Sequence, residues 1–95
     1  MATRSGTKTV TTAGTEVQLS STWVQCKEVV ITAYQANTGV IAIGDSNVVA
    51  ASGSERGLTI NAAQTEYLHD VNLSSIYIDS TVNGEGVSWV AISEM

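Results

Sequence analysis

The chain has 95 residues, one cysteine, one histidine, no proline and a net charge of −5, with nine acids against four bases. That length is one domain, and it buries only about 60–65% of the surface its unfolded form exposes, so the fold is marginal alone. A single cysteine excludes an internal disulfide and, with a single histidine, a cysteine-based metal site. Oligomerisation, or docking on a larger assembly, is the remaining expected support.

An acidic surface repels nucleic-acid phosphates, so no nucleic-acid partner is expected. No segment approaches the ~20 consecutive apolar residues of a membrane span, so no membrane partner is expected either. The opening Met-Ala-Thr-Arg-Ser-Gly-Thr has no apolar h-region; the expectation is a chain without a secretory signal, made in a reducing cytoplasm.

In chain order, residues 1–8 lack large apolar groups after Met1 and read as a flexible N-terminal arm, with a single β-domain over 9–95. Arg4 and Lys8 are the only charged residues before Glu16. They read either as a solvated tip or as a small basic arm reaching an acidic neighbour. Thr7 to Thr12, with Val10 among threonines, reads as an edge-like strand, and Ala13-Gly14 as a turn. Glu16 to Leu19 alternates, with Val17 and Leu19 inward. After the Ser20-Ser21-Thr22 loop, Trp23 is the best candidate for an exposed aromatic contact, and Cys26 reads as a small half-buried hydrophobe.

Lys27 to Gln35 reads as the longest strand. Apolar residues on both its faces place it centrally in a sheet. Asn37-Thr38-Gly39 reads as a hairpin turn into Val40 to Ile43. Gly44-Asp45-Ser46-Asn47 is a second turn, followed by a short strand over Val48 to Ala51 and a polar loop over 52–57. Further strands are expected at Leu58 to Ile60, Thr65 to His69, Ile76 to Asp79 and Val87 to Ile92. Asn83-Gly84-Glu85-Gly86 carries the strongest hairpin signal. Trp89 and Tyr77 read as core or subunit-interface groups. Seven to nine short strands at this spacing predict an all-β sandwich or small barrel. With no proline to blunt them, its sheet edges need protection of another kind, such as pairing with a neighbour.

Candidate chemistry is sparse. Gly44-Asp45-Ser46 matches the nucleophile tripeptide of one esterase family, but that chemistry needs a histidine and a carboxylate beside the serine. The only histidine is His69, and no βα alternation accompanies it. The tripeptide therefore reads as a turn, and the expectation is no enzyme and no cofactor. The acids Glu66, Asp70, Asp79 and Glu85 read as turn and surface residues. Calcium through Asp45, Asp70 or Asp79 lacks the Asp-x-Asp-x-Asp spacing that would support it.

Three segments taken together carry a resemblance: Asn37-Thr-Gly-Val-Ile-Ala-Ile-Gly-Asp-Ser-Asn-Val, Gly57-Leu-Thr-Ile, and Leu73-Ser-Ser-Ile-Tyr-Ile-Asp-Ser-Thr-Val-Asn-Gly-Glu-Gly-Val-Ser. Their order resembles small virion structural proteins of tailed bacteriophages, over roughly residues 9–92. The resemblance implies an antiparallel β-sandwich or jelly-roll-like module that decorates or cements the capsid between major capsid subunits, often as a trimer, with the Arg4 and Lys8 arm contacting an adjacent capsid chain or a sister protomer. It leaves open a place in a head fibre, neck or tail, or a carbohydrate- or receptor-binding role, and it brings no catalytic residues.

Overall fold

The computed structural model describes residues 2–93. Met1, Glu94 and Met95, at the ends of the expected arm and domain, lie outside them. The Val, Ile and Thr that dominate the sequence suit a pleated, half-buried surface. They form eight strands: β1 Thr3–Val10, β2 Val17–Gln18, β3 Gln25–Ala33, β4 Ile41–Gly44, β5 Leu58–Ile60, β6 Thr65–Asn72, β7 Tyr77–Ser80 and β8 Glu85–Ser93. One 3-10 turn, Leu73–Ser75, joins β6 to β7 and is capped by the Asn72 side chain.

The strands make two antiparallel four-stranded sheets, ordered β1-β8-β3-β6 and β2-β7-β4-β5. Strand one pairs with eight, two with seven, three with six and four with five. That is a single long hairpin rolled up on itself, with β3·β8 and β4·β7 closing the roll. It is the jelly-roll order, one version of the expected antiparallel sandwich.

The core lies between the sheets. Val29, Ile31 and Ala33 of β3 and Val87 and Ala91 of β8 are at most 1% exposed, as are Ile41 and Ile43 of β4 and Ile78 of β7. Each such Val or Ile is worth about 1.5–3 kcal/mol on burial. Trp89 also points inward, against Gly6, its cross-strand partner. A Cβ on Gly6 would lie 2.7 Å from the indole, so the glycine makes room for the tryptophan.

Sequence and structure differ at several places. The expected arm is not separate from the domain: Thr3 to Val10 pairs with Ile92 to Glu85 along its whole length. Edge pairing uses backbone groups, so it needs none of the apolar side chains that residues 1–8 lack. The two expected hairpins are corners instead. β3 and β4 flank Asn37-Thr38-Gly39 but lie in different sheets, and so do β7 and β8 around Asn83-Gly84. Turn chemistry reverses the chain without fixing which sheet the next strand joins. Val48 to Ala51 makes only an isolated bridge, Val49 to Arg56. Finally, Cys26 is fully buried.

The loop between β4 and β5 folds back over the outer face of the second sheet. Val48 and Ala50 pack there on Ala42 and Tyr77, so β4 is buried on both sides. Gly57 lets the loop return: its φ is +117°, and a Cβ there would meet the Ile43 carbonyl oxygen at 2.5 Å. Among the described residues, none covers the outer face of the first sheet in this way.

Candidate functional site

Antiparallel register arranges the bare face of the first sheet in rows. Ser5, Val90, Val30 and Tyr67 make one row across β1, β8, β3 and β6, and Thr7, Ser88, Thr32 and Thr65 make the next. Thr32 and Thr65 hydroxyls hydrogen-bond at 2.9 Å. Tyr67 is 55% and Val90 39% exposed, and a shallow groove that Val90 helps to line runs over β1, β8 and β3. In a third row Ile92 and Glu28 lead to His69, whose Nδ1 is 3.5 Å from the Glu28 carboxylate. A flat face of hydroxyls and branched apolar groups can bury area against a flat partner and hydrogen-bond to it. It offers no closed cavity for a small substrate.

Trp23 stands on the β2–β3 loop, 82% exposed, the most exposed of the large hydrophobic side chains. Its neighbour Val24 packs on the core and accepts the Leu73 N–H at 2.9 Å, so the loop is anchored while the indole projects. Arg4 and Lys8 lie on β1, on the same side as the buried Val10, at the open edge of the sandwich. The basic pair thus belongs to a sheet edge and not to a free tip, and Trp23 is in a loop that β1 does not share.

Ser46 and His69 do not meet. Ser46 lies in the turn after β4 of the second sheet, where the Asp45 side chain accepts the Asn47 N–H at 2.9 Å. His69 is on the outer face of the first sheet. Among the described residues, no group of three or more His, Cys, Asp or Glu is placed to hold a metal ion.

Two carboxylates organise the loops. Asp79 was expected on the surface but is 1% exposed, on the outer side of β7 beneath the folded-back loop. Its Oδ1 accepts the Gly14 N–H at 3.0 Å and its Oδ2 the Ala50 N–H at 2.9 Å. The β-strand pattern of Ile76 and Ile78 places Asp79 outward correctly; nothing local says that a loop covers it.

Glu85, at the start of β8, clamps the β3–β4 corner by accepting the Thr38 N–H, the Thr38 hydroxyl and the Gly39 N–H. The Thr38 N–H is the main reason its pKa lies below the ordinary glutamate value; partial desolvation opposes it, and the Gly39 N–H and Thr38 hydroxyl lower it further. A lowered folded-state pKa means that the stabilisation is complete above the unfolded value of about 4.3 and disappears as the pH falls through the folded value. Glu85→Gln should therefore melt lower than the parent at pH 7, and the difference should shrink in acid. Thermal melts of both proteins from pH 7 to pH 3 measure this; a constant difference would contradict it.

No protein-family model, no curated protein and no solved structure matches the chain.

Proposed function

We propose that this chain is a non-enzymatic structural protein of a tailed-phage virion, decorating or cementing the capsid by binding between major capsid subunits. The observation that supports this reading best is the unequal covering of the two sheets. One outer face is sealed by the chain's own loop and the other is bare, flat and rich in hydroxyls. A rigid module with one open face loses little conformational freedom when it docks. If it binds only the assembled lattice, it stabilises that lattice by mass action. The jelly-roll order is shared by viral capsid and lectin domains, which is an analogy of fold. The proposed partners are the major capsid protein or other virion proteins, with the chain acting as a homo-oligomer such as a trimer. The proposed location is the capsid surface.

The exposed Trp23 favours a second reading, a carbohydrate- or receptor-binding module on a head fibre, neck or tail, since an indole on an anchored loop can stack on a sugar ring. Imaging native particles with an antibody against this chain separates the two. Label over the capsid supports the first reading. Label on fibres or tail, with a glycan-induced shift in Trp23 emission, supports the second. Particles without label overturn both.

A further inference from the structure

The two outer strands of the first sheet are β1 and β6, eight residues each, while those of the second sheet, β2 and β5, have two and three. Only the first sheet therefore offers edges long enough to template another strand. Among the described residues, no third strand pairs with either of them.

Their charges are opposite. β1 carries Arg4 and Lys8 and no acid; β6 carries Glu66 and Asp70 and no Lys or Arg. Both pairs are spaced by four. In one antiparallel register Lys8 falls opposite Glu66 and Arg4 falls at Asp70, where a φ of 51° makes a local irregularity at the end of the regular stretch of β6. That register also places Thr7 opposite Tyr67 and Ser5 opposite His69. Ser5, Thr7, Tyr67 and His69 all belong to the outer face, so the sheet faces match as well. Strand directions agree too: β1 and β6 are antiparallel to each other across the sheet, so a copy placed alongside in the same orientation continues the alternation.

We infer that a second copy of this chain adds its β1 to the free edge of β6, with Arg4 and Lys8 of one copy facing Asp70 and Glu66 of the next. The same charges oppose the other pairings, because β1 against β1 and β6 against β6 would set like charges across a ladder. The contact is head-to-tail, so repetition gives a ring or a filament according to the rotation between copies. This pairing rests on the oligomer in the proposed function and names its interface.

Sedimentation velocity over a concentration series tests it on the full chain. The parent should associate. Lys8→Glu alone and Glu66→Lys alone should each weaken association about tenfold, and the double swap should restore it. A parent that is monomeric throughout, or single reversals without effect, would overturn the proposal.

A second measurement does not depend on the charged residues. Within one chain β1 and β6 are three strand spacings apart, about 14 Å, too far for a disulfide. Thr7→Cys with Tyr67→Cys, both exposed positions, should give covalent multimers on mild oxidation. Absence of multimers, or equal yields from the out-of-register pair Ser5→Cys with Tyr67→Cys, would overturn the pairing. A monomer that still labels particles keeps the virion reading and removes this interface. An edge-paired oligomer that labels no particle does the reverse.

Discussion

Replacing Asp79 by alanine should lower the stability of the domain by about 3 kcal/mol, because a buried N–H and a part-buried one lose a charged acceptor at once and the buried site is left with a cavity. In a domain of this size that is a drop in Tm of about 15 °C. The two bonds run to different carboxylate oxygens and from different loops: Gly14 from the β1–β2 connection and Ala50 from the β4–β5 connection. Asp79→Asn tests that division. An amide has one oxygen, so one N–H would keep its acceptor and the other would face an NH2 donor. The asparagine variant should therefore lose most of what the alanine variant loses, about 2 kcal/mol. Asp45→Ala is the contrast, since the Asp45 bond to Asn47 is local and exposed; its cost should stay within about 1 kcal/mol. Urea unfolding of the three variants measures all of this. Equal losses for Asp79→Ala and Asp45→Ala would mean that Asp79 does not pin the loops.

Asp79 also marks the limit of what the sequence reveals. Its face on β7 is readable from the alternation with Ile76 and Ile78. Its burial is not, because the cover comes from Val48 and Ala50, some thirty residues earlier. The central place of β3 was legible: apolar groups on both faces of Val29 to Tyr34 fit a strand flanked by β8 and β6. The position of Trp23 beside a loop indicated exposure, and the indole is exposed. Pairing partners were not legible, since Asn37-Thr38-Gly39 and Asn83-Gly84 signal reversals in a hairpin and in a sheet-to-sheet corner alike. Residues 1–8 misled for a related reason. A strand held by backbone bonds at a sheet edge leaves no apolar alternation, and here the position facing the core opposite Trp89 is a glycine. The charge spacing on β1 and β6 was present in the sequence throughout, but only the strand order turns four scattered charges into two complementary edges.

Gly86→Ala should be as damaging as Asp79→Ala, and by a different route. Gly86 is where β1, β8 and the β3–β4 corner meet. Its carbonyl accepts both the Tyr34 N–H at 3.1 Å and the Asn37 Nδ2 at 2.9 Å. A Cβ there would lie 2.1 Å from the Lys8 carbonyl oxygen and 2.8 Å from the Thr9 Cα. Both are backbone atoms of the paired strand, so no side-chain rotation relieves the clash. Either β1 moves away from β8 at Lys8 and Thr9, or β8 shifts and loses its bonds to Tyr34 and Asn37. The cost should be about 3 kcal/mol, the upper end for overpacking at a site that cannot yield. Hydrogen exchange distinguishes this local displacement from general weakening. The amides of β1 should lose protection first, while those shared by β3 and β6, away from the clash, keep theirs. Uniform loss across both sheets would argue against it. Because β1 supplies one of the two edges of the proposed pairing between copies, the same substitution should also abolish self-association, even at temperatures where most of the fold survives. An associating Gly86→Ala protein with an unprotected β1 would show that copies meet elsewhere.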